Sequence, residues 1–204
     1  MRRLRLGFLG LVLGATVLAS GAVGTARAGL TCPGQTYVQP FEPWLDEANY
    51  VLMPNGSLES GSGWALTGGA ALVDGNEPFQ VNSQFQGNSQ LDTHSLSLPT
   101  GSSVTSPQLC VTLLHPDLRF FAVNSGSPTA LLRVDAIAHL GWLGLSVPVA
   151  TLSSGDAWAP TVPIPFLTNL VSPLFGTVSF RFTPIGASSG WQIDDVYVDP
   201  FKDR

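Results

Sequence analysis

Charged side chains are scarce in this sequence of 204 residues. They make up 11% of the chain, with nine lysines and arginines against fourteen aspartates and glutamates. Four of the nine basic residues lie within the first 28 positions, whereas all fourteen acidic residues come later. A chain that starts at Gly29 would hold five basic and fourteen acidic residues, a net charge of −9. Such a surface repels phosphate groups, which argues against binding to nucleic acid and to anionic membranes.

Compact catalytic motifs are also scarce. The sequence has no His-Glu-x-x-His, and no cluster of histidine, cysteine and aspartate marks a catalytic zinc site. The three histidines, His94, His115 and His139, stand far apart in the sequence. A serine triad assembled from distant residues stays open as an alternative, because triads are defined by geometry and not by spacing.

Only one long apolar run without charge is present, and it lies near the N-terminus. Three arginines within Met1–Arg5 precede the uncharged run Leu6–Ala26, and Ala26-Arg27-Ala28 has the small-x-small pattern of a cleavage site. We therefore predict a cleaved signal peptide over residues 1–28, with a helical leader, and a secreted, extracellular protein free of the membrane. A retained membrane anchor is the alternative, which the five glycines of the run disfavour.

Cysteine is limited to Cys32 and Cys110. In an oxidising compartment the two are expected to form a disulfide, which would close a loop of about 78 residues and stabilise the fold by about 4.5 kcal/mol. Lipid attachment at Cys32 is disfavoured because Thr31, not a smaller residue, precedes it. A metal role for two isolated cysteines is weaker still.

Glycine and proline, by contrast, are abundant, at 22 and 16 residues. They form turn signals between short runs with strand-like composition, which predicts an all-β sandwich or barrel. We expect an extended segment over residues 29–49, tethered by the disulfide, and one β-domain over residues 50–204. The individual runs include Ser57–Glu59, Ala130–Ala138, Leu143–Val147, Val149–Leu152, Thr177–Thr183 and Trp191–Asp199, with a short helical turn within Phe166–Phe175.

The last of these runs carries an irregularity. Ile193 falls on one parity of the strand and Val196 and Val198 on the other, so all three face the core only if the chain slips by one residue at Asp194-Asp195. A β-bulge does this. Two adjacent carboxylates at a bulge repel each other, and a bound Ca²⁺ with oxygen ligands would relieve the repulsion. A solvated aspartate pair at a strand end is the simpler alternative.

Two motifs resemble the galactose-binding-like jelly rolls, a group that includes many carbohydrate-binding modules. Those domains commonly open with Asn-Gly-x-Phe-Glu followed by a tryptophan, and close with an aromatic-x-Ile-Asp-Asp-Val strand. The matching segments are Asn55–Glu59, with Leu58 in the place of phenylalanine and Trp64 five residues on, and Trp191–Val196. The resemblance implies an antiparallel two-sheet jelly-roll β-sandwich with neighbouring first and last strands.

The same resemblance implies a structural Ca²⁺ between those strands. By position, its ligands would be Glu59 and Asp194, with Asp195 as the nearby alternative. The sequence also resembles a set of secreted actinobacterial proteins through Gly75–Phe79, Arg119–Ala122 and Trp191–Pro200. That second resemblance implies no activity.

Exposed aromatic rings are the other candidates for a binding site, since they stack on the apolar faces of sugars. Trp142 and Trp158 lie in turn-rich stretches and are the predicted ligand-binding residues, whereas Trp64 and Trp191 are expected in the core. The preferred hypothesis is a secreted, non-catalytic module that binds an extracellular carbohydrate or cell-surface polymer. A structural or protein-interaction scaffold and a secreted hydrolase are the alternatives.

Overall fold

The computed structural model describes residues 34–82, 92–111, 117–140, 143–166 and 177–199. Within these ranges the chain forms a 3₁₀ helix at Glu42–Trp44 and thirteen strands: β1 Val51–Leu52, β2 Ala65–Thr67, β3 Ala71–Asp74, β4 His94–Pro99, β5 Ser103–Thr105, β6 Leu109–Cys110, β7 Asp117–Asn124, β8 Leu131–Leu140, β9 Leu143–Leu152, β10 Ala159–Pro160, β11 Ile164–Pro165, β12 Thr177–Ile185 and β13 Gly190–Asp199. None of the described segments is a helix long and apolar enough to cross a membrane. The predicted signal peptide lies outside the described residues.

The strands form two antiparallel sheets. Sheet I has the order β10-β7-β13-β4-β3, with β1 paired to β13 and β11 paired to β7. Sheet II has the order β2-β5-β12-β8-β9, with β6 paired to β12. The first strand pairs with the last through Val51–Val198 and Leu52–Tyr197. The predicted antiparallel β-sandwich and the predicted contact between the opening and closing segments are both confirmed.

Alternating side chains build the core between the sheets. In β12, Val178, Phe180 and Phe182 are buried in this core, while Arg181 and Thr183 lie on the outer face of sheet II. The core also contains Trp64 and Trp191, as the sequence predicts. Both sheets therefore contribute their inner faces to one apolar layer.

A second apolar cluster covers the outer face of sheet I. The segment before β1 lies across this face, where the Phe41 ring stacks on Phe121 at 5.5 Å between centroids and meets Tyr50 edge-on at 4.9 Å. A backbone bridge joins Val38 to Tyr50. The segment was predicted to be extended, and its described part also contains the turn of 3₁₀ helix. Its aromatic residues hold it against the sheet by burying their apolar surface.

Two predicted strand boundaries are wrong. Ser57–Glu59 is not a strand, because Pro54–Ser57 forms turns and Leu58 has a left-handed backbone with φ of 55°. The two predicted runs on either side of Pro148 form the single strand β9, in which a register shift against β8 absorbs one extra residue. The predicted helical turn within Phe166–Phe175 lies outside the described residues apart from Phe166.

Candidate metal centre

The last strand bends where two aspartates follow each other. In the pairing of β13 with β7, the register shifts between Asp194 and Tyr197, and Asp195 has a left-handed backbone with φ of 46°. The extra residue allows Ile193 and Val196 to share the core despite their opposite parity. The predicted β-bulge is confirmed.

A tight turn from the opening motif lies directly against this bulge. The Met53 amide donates to the Val196 carbonyl and the Val196 amide donates to the Gly56 carbonyl, both at 2.9 Å. A Cβ at Gly56 would stand 2.7 Å from the Val196 carbonyl oxygen, so only glycine permits this close approach. The Asn-Gly pair thus brings Glu59, three residues on, to the same end of sheet I.

Three buried carboxylates meet beside the bulge. They belong to Glu77, which follows β3, to Asp92, which precedes β4, and to Asp195. One carboxylate oxygen of each lies within 4.8 Å of the others, and all three side chains are buried. We refer to Glu77, Asp92 and Asp195 as the acidic trio. Three separate parts of the chain supply it, so only the folded protein holds it together.

Glu59 holds the backbone that carries Asp92. Its carboxylate accepts hydrogen bonds from the Thr93 and His94 amides, both at 2.7 Å, and from the Thr93 hydroxyl at 2.9 Å. Burial opposes ionisation of Glu59, but hydrogen bonds from Asp92, Thr93 and His94 outweigh it and lower the pKa of Glu59 to about 2. Glu59 is therefore charged at neutral pH and fixes the loop in front of β4.

Asp194 has a similar role toward Glu77. Its carboxylate accepts the Glu77 amide at 3.2 Å and the Asp195 amide at 2.8 Å. The Glu77 carboxylate in turn accepts the amides of Phe79 and, at 2.8 Å, Val81. These bonds shape the turn after β3 and direct Glu77 toward the bulge.

Burial raises the pKa values of the acidic side chains at this centre, since a desolvated carboxylate ionises less readily. Burial, together with Glu59 and the other nearby carboxylates, raises the pKa of Asp92 to about 9. Burial and Glu77 raise the pKa of Asp195, and burial and Asp195 raise the pKa of Asp194. Burial also raises the pKa of Glu77, although backbone hydrogen bonds oppose the shift. The folded chain therefore resists placing all these charges together.

Two members of the acidic trio, Asp92 and Asp195, have carboxylate oxygens without hydrogen-bond donors among the described residues. Both carboxylate oxygens of Asp92 and of Asp195 are buried and, within the described part of the chain, accept no hydrogen bond of ordinary geometry. The Asn82 backbone amide lies on the Asp195 carboxylate and opposes its raised pKa. No described basic side chain forms an ion pair with the trio. An all-oxygen, anionic set of this kind suits Ca²⁺ better than Zn²⁺, which takes nitrogen and sulfur ligands more often.

The raised pKa values predict that, without a cation, stability falls as the pH rises. Unfolded aspartates ionise near pH 4, whereas the folded Asp92 carboxyl keeps its proton to about pH 9. Between these two pH values the folded chain binds more protons than the unfolded chain. The free energy of unfolding therefore falls by about 1.4 kcal/mol per pH unit for every carboxyl that is protonated only in the folded state. We expect the urea midpoint, measured with a chelator, to be lower at about pH 8 than at about pH 5. Asp92→Asn should make the decline shallower, and a constant or rising midpoint in the wild type would contradict the prediction.

The structure places the other predicted site residues as follows. Glu59 and Asp194 lie next to the trio with their carboxylates bound to backbone amides, whereas Asp195 belongs to it. Trp158 is partly buried and packs against the cluster on the outer face of sheet I, and its role in ligand binding stays a prediction. Trp142 lies outside the described residues. Cys32 does too, so the Cys32–Cys110 disulfide stays a prediction.

Sequence reasoning missed Glu77 and Asp92. Glu77 belongs to the Gly75–Phe79 motif, which resembles a family signature but does not by itself indicate a ligand. The proline that follows it, Pro78, is a turn signal and indicates a fixed backbone at this position. Nothing in the sequence links Asp92 to Asp195. They meet because β4 lies beside β13 in sheet I, a pairing set by the topology of the whole sandwich.

The described histidines do not form a catalytic arrangement. His139 Nε2 lies 3.0 Å from Ser179 Oγ, but the buried Ser179 hydroxyl donates to the Pro107 carbonyl at 3.3 Å. Ser179 thus accepts from the imidazole, the reverse of what a serine nucleophile requires. His94, the first residue of β4, contacts Glu59 at 3.1 Å beside the trio. His115 lies outside the described residues.

One Gly-x-Ser-x-Gly pattern occurs, at Gly186–Gly190. It forms the turn between β12 and β13. A hydrolase nucleophile turn instead leads from a strand into a helix. The pattern here lies in the turn that leads from sheet II to sheet I, between two strands that do not pair with each other.

The fold and the centre together define a jelly-roll β-sandwich with a buried acidic trio at one end of sheet I. No protein-family model matches the sequence, and no curated protein sequence matches it. Among solved structures it is similar to the CBM22-1 xylan-binding domain of Xyn10C from Paenibacillus barcinonensis, with 15% identity over 73% of this chain and 94% of that one, at a TM-score of 0.48. It is also similar to the family 11 carbohydrate-binding module of a cellulosomal cellulase from Clostridium thermocellum, with 11% identity over 77% and 98% of the two chains, at a TM-score of 0.47. Identities this low say nothing about binding sites.

Proposed function

We propose that this protein is a secreted, non-catalytic β-sandwich module that holds a structural Ca²⁺ at the acidic trio and binds an extracellular carbohydrate on the outer face of sheet II. The observation that carries the carbohydrate part is the polar character of that face. Its neighbouring strands present hydroxyl, guanidinium and imidazole groups in cross-strand rows, and the cation would stiffen the opposite sheet without taking part in binding.

The rows follow from the register of sheet II. Thr105, Arg181 and Asp135 stand side by side in one row, and Thr183 pairs with Arg133 in the next. Arg133 Nε donates to both carboxylate oxygens of Asp135, at 3.0 and 3.1 Å, while the Arg133 side chain keeps 46% of its surface exposed. Arg181 Nε donates to the Thr105 hydroxyl at 3.4 Å. Donors held in place on a partly exposed face suit the ordered hydroxyl groups of a sugar chain.

Loss of Arg181 should weaken carbohydrate binding. Because a hydrogen bond from a charged group contributes about 1.5–3 kcal/mol, Arg181→Ala should lower the affinity by about tenfold or more. Arg133→Lys should also lower it, since lysine keeps the charge beside Asp135 but loses the planar fork. Binding is measured by glycan array and calorimetry on the secreted protein with Ca²⁺ present.

Val162→Ala is the matched control, because Val162 is 70% exposed and belongs to the loop between β10 and β11, which both pair with β7 of sheet I. It should bind as the wild type does. Wild-type protein that binds no plant, bacterial or fungal polysaccharide would reject the carbohydrate function. The protein-interaction scaffold would then be favoured by Leu143, Leu145 and Val147, alternate residues of the edge strand β9 that are 42–49% exposed.

A further inference from the structure

A cleft opens on the other side of the molecule, on the outer face of sheet I. Residues 44–48 of the segment before β1 form one wall, and Arg119 of β7 and Pro163 complete it. Its volume of about 510 Å³ falls in the range of small-molecule sites, roughly 300–1,000 Å³. No residue of the acidic trio or of the outer face of sheet II lines it.

The apolar part of the cleft is Trp44 with Leu45. Edge-to-face contacts with Phe79 at 4.9 Å and with Phe121 at 5.3 Å fix the Trp44 ring. Leu45 is 96% exposed and has a left-handed backbone with φ of 61°. This conformation costs a non-glycine residue about 1 kcal/mol or more, and burial of the leucine does not offset the cost. A fixed ring beside a projecting leucine therefore forms a preformed apolar rim.

The polar part of the cleft is equally fixed. Arg119 donates from Nε to the Thr161 carbonyl at 2.7 Å and from Nη1 to the Asp46 carboxylate. The Tyr50 hydroxyl donates to the same carboxylate at 2.7 Å. Arg119 thereby neutralises Asp46, and exposed Glu47 leaves the cleft with one net negative charge. An anionic ligand is disfavoured, while carboxylate acceptors suit hydroxyl donors.

We infer that this cleft binds a neutral pyranose ring, as a second carbohydrate site in addition to the outer face of sheet II. The inference rests on the proposed carbohydrate function and extends it to a second surface. An aromatic and aliphatic rim takes the apolar face of the ring, and Asp46, Glu47 and Arg119 meet its hydroxyl groups. Since the two sites lie on opposite faces of the sandwich, one chain holds two separate short oligosaccharides.

The stoichiometry of binding tests this. Calorimetry of the full secreted chain is carried out with xylohexaose and with cellohexaose. For at least one of these two oligosaccharides, the stoichiometry should be two molecules bound per protein chain. Trp44→Ala should lower the stoichiometry to one, and so should Leu45→Asn, which tolerates the left-handed backbone and leaves the aromatic contacts intact. Arg181→Ala should remove the other site. Trigalacturonate, an anionic probe, should not bind the Arg181→Ala protein.

The outcomes separate the two proposals. One site that Arg181→Ala removes, with both cleft variants unchanged, would overturn the second site and keep the carbohydrate function. The opposite result is a single site that both cleft variants remove and that Arg181→Ala leaves intact. It would support the site in the cleft and overturn the proposed site on the outer face of sheet II. Binding of trigalacturonate at the cleft would overturn the neutral ligand class. Absence of binding to every neutral glycan would overturn both proposals.

Discussion

Addition of Ca²⁺ should raise the melting temperature of this protein, and a chelator should lower it. A ligand that binds only the folded state stabilises it by about 2.7 kcal/mol at a free concentration about a hundred times its Kd. For a domain of this size that gain corresponds to a rise of about 5–10 °C. The physical reason is the acidic trio, in which the buried oxygens of Asp92 and Asp195 lack donors within the described ranges and the three carboxylates repel one another unless a cation lies between them.

Substitutions in the acidic trio should raise the melting temperature measured with chelator and reduce its rise with Ca²⁺. Asp195→Asn and Asp92→Asn each replace a buried carboxyl that must take up a proton on folding with a neutral amide, so with chelator present at neutral pH the variants should melt higher than the wild type. The same variants should lose most of the Ca²⁺ response, because each lacks a ligand. Asp156→Asn is the control, since Asp156 is exposed in the turn before β10, and it should respond as the wild type does. Wild-type melting curves that are identical with Ca²⁺ and with chelator would end the metal proposal.

Glu59 distinguishes the centre expected from the resemblance from the one that the structure describes. The motif implies that Glu59 is a ligand, in which case Glu59→Gln should abolish the Ca²⁺ response. In the structure its carboxylate binds the Thr93 and His94 amides. As a positioning residue it should change the affinity for Ca²⁺ by about 10–100-fold, with the full rise in melting temperature restored at higher Ca²⁺. A titration of melting temperature against Ca²⁺ separates the two roles.

Periodicity and parity were sufficient to predict most of the sandwich. The alternation in β12 separates Phe180 and Phe182 from Arg181, and burial follows that separation. The parity change between Ile193 and Val196 required a bulge, and the register shift of β13 supplies it. Such predictions succeed because side-chain direction in a strand is a local property of the backbone.

The acidic trio could not be predicted in the same way. Glu77 and Asp92 lie outside regular strands, and their meeting with Asp195 depends on the sheet order β3-β4-β13. Ser57–Glu59 was expected to be a strand because its composition suits one, but the close packing of Gly56 on Val196 requires a turn there. Trp158 was expected to be exposed because turns surround it, yet it is partly buried against the cluster on the outer face of sheet I. Each miss concerns contacts between parts of the chain that are distant in sequence.

Loss of Arg119 should destabilise the protein more than any surface change. The Arg119 guanidinium lies 4.3 Å from the centroid of the Phe41 ring, donates to the Thr161 carbonyl and pairs with Asp46. The side chains of the pair are only 7% and 16% exposed. Removing one partner of a buried pair leaves an uncompensated charge, so Arg119→Met should cost about 3–5 kcal/mol. Urea unfolding measures the loss, and limited proteolysis should show faster cleavage before β1, because the pair holds that segment on sheet I.

A double-mutant cycle separates the ion pair from simple loss of packing. Asp46→Asn alone leaves Arg119 charged and buried, whereas the combination of Asp46→Asn with Arg119→Met leaves neither charge. The double variant should therefore lose less stability than the two single losses together, by about 1 kcal/mol or more. Additive losses would show that the two charges do not depend on each other. In that case packing on Phe41, and not the ion pair, would be what holds the segment before β1 in place.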